Sequence, residues 1–301
     1  MKGHMKAKSL IVAAAVAALY VPNAHSAPSP SRARHTGETA GVVRLPAVFQ
    51  DDFVFVQTSI NGGPSLWMLL DTGDEACSLD IKEAKRLKLN LISDTSAGRG
   101  FGTEQRQAFD TIASAKIGSA SARNIKFEAY EFPQITAPDG RPVSGAIGYS
   151  FLVGRRLVID YPNHRLYLIG SARPLGVRFR LEGNLPVVNV AIDGKPSRAV
   201  IDTGGSYGII LTPTAALKLG LKDYLDRATS NVGTGTSGDQ AVRIGRIPRI
   251  SVAGIETLNP PTVFTTFGTL PTSFDAAIGK MFLAGHILTI DYRSKTLRFD
   301  R

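Results

Sequence analysis

An internal repeat constrains this chain more than any other feature. Asp71-Thr72-Gly73 returns as Asp202-Thr203-Gly204, and each triplet ends a largely apolar run, WMLL in the first case and RAVI in the second. The offset is 131 residues, and three further landmarks keep it. Gly102-Thr103 matches Gly233-Thr234, Ala146-Ile147-Gly148 matches Ala277-Ile278-Gly279, and Ile159-Asp160-Tyr161 matches Ile290-Asp291-Tyr292. Four landmarks at one offset mark a duplication. Two copies that pair do so about a pseudo-two-fold axis, so whatever one copy builds is built twice.

Each copy has the same coarse layout. A strand (53–60; 186–192) reaches a Gly-containing turn, Asn61-Gly62-Gly63 or Asp193-Gly194-Lys195, and a second strand runs into Asp-Thr-Gly. A short helix (81–89; 213–221), a Gly-rich hairpin (98–103; 233–238), further strands and the Ala-Ile-Gly triplet with a helical turn follow. A closing hairpin ends each copy (157–169; 288–299), turning at Pro162-Asn163-His164 and Arg293-Ser294-Lys295. Strands with one or two short helices per copy imply a mainly β, two-lobed molecule. The expected division is a 1–26 export signal, a 27–41 disordered tail, an N-terminal lobe over 42–172 and a C-terminal lobe over 173–301, with 170–181 as connector.

Equivalent residues close to a two-fold axis approach one another, so Asp71 and Asp202 are expected within hydrogen-bond reach, about 2.6–3.2 Å or through one water. Two carboxyls at that separation share one proton and offer one acid and one base. They titrate as a coupled unit. Such a pair suits the activation of water against a peptide carbonyl. The Thr after each Asp has a hydroxyl that can bond backbone across the axis, and the Gly lets backbone N–H groups approach the carboxylates.

LLDTG at 69–73, VIDTG at 200–204 and the two Ala-Ile-Gly triplets carry a resemblance to aspartic proteases of the pepsin and retropepsin class, over about 250 residues. Two fused retropepsin-like units are the nearer likeness, because each half has its own Gly-rich hairpin. The resemblance implies a two-lobed acid protease fold with Asp71 and Asp202 as the catalytic pair. It implies that Thr72, Gly73, Thr203 and Gly204 support that pair. It also implies two flaps, with Phe101, Gly102 and Thr103 on one and Gly233, Thr234 and Gly235 on the other, laid over a peptide in β-strand form.

The chain departs from that class just after each triplet. Ser, Thr or Ala is usual there, whereas Asp74 (followed by Glu75) and Gly205 stand here. Asp74 and Glu75 either turn outward to solvent or a basic partner, or Asp74 lines the cleft, raises the pair's pKa values and favours basic substrate residues. The departure also leaves room for a catalytically silent peptide-binding module with the same cleft. Other motifs compete poorly. Gly204-Gly205-Ser206-Tyr207-Gly208 fits the G-x-S-x-G elbow, with Asp275 and His286 downstream, but the first copy has no Ser in the equivalent place. Gly233 to Gly238 fits G-x-G-x-x-G, but a strand-like segment follows it, not a helix.

A basic start (Lys2, Lys6, Lys8), an apolar run over 9–21 and Ala24-His25-Ser26 read as an export signal cut after Ser26, hence a periplasmic or secreted protein with no membrane anchor after cleavage. Cleavage removes three Lys and no acid, lowering the formal charge from +10 to +7. The remaining basic residues, Arg243, Arg246 and Arg249 among them, are scattered, so no nucleic-acid partner is expected. Cys77 is the single cysteine, which excludes a disulfide scaffold; it is expected as a small buried hydrophobe. No Cys/His spacing fits a metal, and neither metal nor cofactor is expected. The partner is a peptide or protein in extended form. Two fused copies already supply the two-fold mate, so the chain is expected as a monomer.

Overall fold

The computed structural model describes residues 10–11, 41–94, 108–170, 173–235, 238–266 and 273–301. Two β-rich lobes are joined through a shared base. In the N-terminal lobe eight strands run in the order Ala47–Gln50, Phe53–Ile60, Ser65–Leu70, Gly145–Ile147, Ser78–Asp80, Ala120–Tyr130, Ala108–Ile117 and Ile92–Asp94. A further pairing of Phe53–Ile60 with Ala108–Ile117 folds the sheet back on itself, which hides the edges an open sheet would expose. The C-terminal lobe repeats the plan with Leu185–Ile192, Lys195–Ile201, Ala276–Ile278, Ile209–Leu211, Pro261–Phe264, Gly238–Arg246 and Thr229–Gly235 as successive neighbours. Leu10–Ile11 lies parallel to Thr229–Gly235 on its outer side.

Local chemistry accounts for the repeated pieces. Asn61 and Gly62, and again Asp193 and Gly194, have positive φ at both central turn positions, the conformation that lets a two-residue hairpin follow the strand twist. The helix Ile81–Arg86 starts where the Asp80 side chain accepts the Lys82 N–H, and Pro213–Lys218 where Thr212 accepts the Ala215 N–H with Pro213 in the first turn. A second helix, Lys222–Arg227, follows in the C-terminal lobe, and among the described residues the first lobe has no counterpart. Its polar sequence KDYLDR buries no residue, which is why no apolar period announces it.

The base contains the symmetry axis. Arg156–Asp160 pairs antiparallel with Ile287–Asp291, and the register Arg156↔Asp291, Val158↔Thr289, Asp160↔Ile287 maps onto itself under the 131-residue offset. The axis therefore passes through the Val158–Thr289 pair. Val42–Leu45 and Arg165–Ile169 extend the base on one side, and Thr296–Asp300 and Val177–Glu182 on the other. The expected connector over 170–181 is thus only partly a connector: from Val177 it is a strand that pairs with both Thr296–Asp300 and Leu185–Ile192. Arg178 and Arg180 alternate outward while Phe179 packs inward against Tyr292, so the arginines hide the strand from a composition-based reading. Arg156 and Asp291 form a buried ion pair at 2.6 Å across this seam. No helix among the described residues is long and apolar enough to cross a membrane.

Candidate active site

Each Asp-Thr-Gly leaves the end of a central strand, Ser65–Leu70 or Lys195–Ile201, that is clamped by the strand carrying Ala-Ile. Leu69 lies beside Ala146 and Val200 beside Ala277 in the two parallel pairings. The next residue is then fixed identically in both lobes: Asp71 N–H donates to Ile147 O at 3.0 Å, and Asp202 N–H to Ile278 O at 2.9 Å. The glycines do the same for the side chains. Gly73 N–H donates to Asp71 Oδ1 at 2.7 Å and Gly204 N–H to Asp202 Oδ1 at 3.0 Å.

Thr72 and Thr203 join the lobes crosswise. Thr72 N–H donates to Thr203 Oγ1 (3.0 Å) and Thr203 N–H to Thr72 Oγ1 (3.2 Å), while the hydroxyls donate to Ile201 O (2.7 Å) and Leu70 O (2.9 Å). This four-bond lattice is buried and brings the two carboxyls within hydrogen-bond reach of each other. The approach is close enough to require both glycines. A Cβ on Gly204 would stand 2.4 Å from Asp71 Cγ, and one on Gly73 would stand 2.7 Å from Asp202 Cγ.

Burial is the largest influence on both carboxyls and raises both pKa values. Asp71 is pushed well above the usual carboxylate range, with the negative charges of Asp202 and Asp74 adding to burial. Asp202 rises less, to about 6, because hydrogen bonds from Tyr207 and from backbone N–H groups favour its ionised form. The two carboxyls titrate as one coupled unit, with burial holding a proton between them.

The sequence matches the aspartyl protease family at residues 56–151 and again at 188–282, more than half of the chain and once in each lobe. The chain belongs to the aspartyl protease family. No curated protein matches it by direct comparison. The double match coincides with the two copies of the repeat, and both Asp-Thr-Gly triplets of this aspartyl protease family member lie inside it.

Asp74 does not turn outward, and of the alternative expectation the electrostatic part appears: its charge raises the pKa of Asp71. Asp74 is 4% exposed, so it does not turn to solvent, and both carboxylate oxygens are bonded within the N-terminal lobe. Oδ1 accepts the Ala76 N–H at 3.0 Å and Oδ2 accepts the Ser78 hydroxyl at 2.6 Å, which in turn accepts from the Tyr130 hydroxyl at 3.0 Å. Burial pushes its pKa up to about 7 despite those bonds. The sequence shows a charge at this position and does not show the inward turn. Glu75 is half-buried. Its backbone carbonyl accepts Asn184 Nδ2 at 2.9 Å, and its carboxylate fills the space beside Gly183, where a Cβ would come within 2.1 Å of Oε1.

Gly233, Thr234 and Gly235 lie on Thr229–Gly235, which turns into Gly238–Arg246 with Gly235 opposite Gly238. This strand-to-strand hairpin is not a phosphate-binding turn. Phe101, Gly102 and Thr103 lie outside the described residues. Among the described residues the buried Ser206 Oγ has no hydrogen-bond partner, so no described histidine activates it as the G-x-S-x-G reading requires. Cys77 is fully buried with its thiol pKa pushed up by burial. Arg243 and Arg246 donate to backbone carbonyls of their own lobe, while Arg249 faces Asp193 and Glu256. An open cavity of about 480 Å³ on the N-terminal lobe, lined by Trp67, Asp80, Glu83, Arg86 and Arg141, reaches neither member of the aspartate pair.

The residue that sequence reasoning missed is Tyr207. Its hydroxyl donates to Asp202 Oδ2 at 2.5 Å and its side chain is almost wholly buried. The available signal was an asymmetry between the copies, since position 76 in the first is Ala.

Proposed function

We propose that the protein is an exported aspartic endopeptidase that hydrolyses peptide bonds in extended segments, using a water activated between Asp71 and Asp202. The observation that supports this reading best is the pair itself: two buried carboxyls from equivalent points of a repeat, hydrogen-bonded to one another and aligned by the Thr72–Thr203 lattice. Two such carboxyls cannot both ionise, so one proton is held between them.

The ionised member takes a proton from water as the water oxygen attacks the scissile carbonyl carbon. The protonated member donates to the carbonyl oxygen, giving a neutral gem-diol. On collapse of the diol one hydroxyl gives its proton to the carboxylate that had donated, while the other carboxyl passes the proton it took from water to the leaving nitrogen as the C–N bond breaks, which restores the pair. The carboxyls suffice for this chemistry, and the proposal draws on no metal or cofactor. Gly233, Thr234 and Gly235, with Phe101, Gly102 and Thr103 from the other copy, would cover a substrate in strand form and exchange main-chain hydrogen bonds with it. We place the enzyme in the periplasm or outside the cell, as a monomer, after removal of residues 1–26.

The test is the mature chain, 27–301, incubated with a quenched peptide library between pH 3 and 8 beside Asp71→Asn and Asp202→Asn. Wild type should cleave and both variants should not. A silent wild type, or Asn variants that cleave as well as wild type, would end the proposal. N-terminal sequencing of the exported protein checks the cut after Ser26.

A further inference from the structure

After the shared Asp-Thr-Gly the two copies differ at all five positions from 74 to 78 and from 205 to 209, and three of these differences bear on the hydrogen bonding around the aspartates. Asp74, Ala76 and Ser78 in the first copy correspond to Gly205, Tyr207 and Ile209 in the second. In the first copy the hydroxyl of Ser78 is committed to Asp74. In the second copy the hydroxyl of Tyr207 reaches the catalytic candidate itself, donating to Asp202 Oδ2.

Gly205 and Tyr207 act as one unit. A Cβ at Gly205 would lie 2.4 Å from Tyr207 Cε1 and 2.8 Å from Asp202 Oδ2, and one at Gly279 would lie 2.7 Å from Tyr207 Cδ2. The two glycines therefore shape a slot for the ring. The unusual Gly after the second triplet has a physical cause: the tyrosine ring occupies the place of a side chain there.

We propose that Tyr207 is a positioning residue that holds Asp202 as the ionised base and leaves the shared proton on Asp71, so that each carboxyl has a fixed role. This rests on the protease reading above. Asp202 accepts the Tyr207 hydroxyl and the Gly204 N–H, whereas Asp71 accepts the Gly73 N–H and faces the charge of Asp74. Donors stabilise an ionised carboxylate, so the Tyr207 hydroxyl favours ionisation of Asp202, and above about pH 7, where Asp74 is ionised, its charge also opposes ionisation of Asp71. Tyr130, Tyr161 and Tyr292 also feel the pair electrostatically, but burial raises all three and keeps them neutral. Among the described residues the Tyr161 and Tyr292 hydroxyls have no hydrogen-bond partner, and that of Tyr130 donates to Ser78. Tyr207 itself is raised by burial and by Asp202, and so remains a donor throughout the working range.

The experiment compares the pH dependence of kcat/KM for wild type and Tyr207→Phe on a quenched peptide that wild type cleaves. The acid limb reports ionisation of the base in the free enzyme. Loss of a hydrogen bond to a charged acceptor should move that limb up by about one to two pH units. A second pair keeps the test open if Phe is poorly tolerated. Gly205→Ser combined with Tyr207→Ala supplies a hydroxyl from the vacated slot and should restore the wild-type limb; Gly205→Ala combined with Tyr207→Ala fills similar space without a hydroxyl and should not. A third readout requires no turnover: in protein labelled with 13C at the Asp carboxyls, the Asp202 resonance should titrate below that of Asp71 in wild type and move up in Tyr207→Phe. An unshifted acid limb in Tyr207→Phe, equal limbs in the Ser and Ala double variants, or unshifted resonances would overturn the role of Tyr207 while leaving the protease reading intact. Failure of wild type to cleave any peptide overturns the protease reading instead, and the carboxyl titration then still decides which Asp holds the proton.

Discussion

Asp74→Asn isolates a buried carboxyl with a definite sign and size of effect. The side chain is enclosed, and burial lifts its pKa from an ordinary 3.8 to about 7 against the opposing bonds from Ser78 and Ala76. The folded chain therefore binds a proton at Asp74 more tightly than the unfolded chain does. A raised folded-state pKa contributes stability that is fully present below pH 3.8 and is lost as pH rises through about 7. Three pH units at about 1.4 kcal/mol each give a loss of about 4 kcal/mol, as an order of magnitude.

Asn mimics the protonated carboxyl. Its carbonyl can keep the Ala76 N–H and its amide can donate to Ser78 Oγ. Urea unfolding at pH 4 should then give the two proteins the same stability within about 1 kcal/mol. At pH 8 the variant should be the more stable by about 3–4 kcal/mol. A stability difference that stays flat from pH 4 to 8 would refute the buried placement of Asp74. In activity, Asp74 carries its charge only above about pH 7, so the variant should lower the alkaline limb, where Asp71 gives up its proton, and leave the acid limb in place. Because both Asp74 oxygens are engaged inside the lobe, cleavage next to Lys or Arg should be unaffected.

Three further outcomes follow from the geometry. Thr72→Ala strips the acceptor from the buried Thr203 N–H and should cost about 1–3 kcal/mol by chemical denaturation, with Thr72→Ser recovering most of it. Arg156→Met leaves Asp291 buried and unpaired. Burial opposes ionisation of Asp291, but bonds from Arg156 and Ser294 hold its pKa below the usual value. The variant should lose about 3–5 kcal/mol near neutral pH, and Arg156→Met with Asp291→Leu should regain most of that. Gly204→Ala places a methyl within 2.4 Å of Asp71 Cγ and should lower kcat by about 100-fold or more, while circular dichroism stays native-like.

Much of the architecture was legible because it is written twice. The turns at Asn61-Gly62 and Asp193-Gly194 need positive φ, a demand that small polar residues and glycine announce locally. The strand Phe53–Ile60 begins and ends at the expected residues because its apolar run is bounded by turn formers. The strand Val177–Glu182 escaped, since its arginines face outward and its partners lie more than a hundred residues away on one side. The helix Lys222–Arg227 escaped because it buries nothing that would leave an apolar period.

By itself, the sequence determined that there are two equivalent lobes and that Asp71 and Asp202 are equivalent points within them, because a repeat and its offset are properties of order along the chain. Tertiary structure alone decided how far that equivalence holds. The inward turn of Asp74 onto Ser78 and Tyr130, and the reach of Tyr207 to Asp202, depend on which neighbours fill the space beside each carboxyl. Those neighbours come from separate strands, and the cost of burying charge, which sets where the proton sits, exists only once they have closed around it.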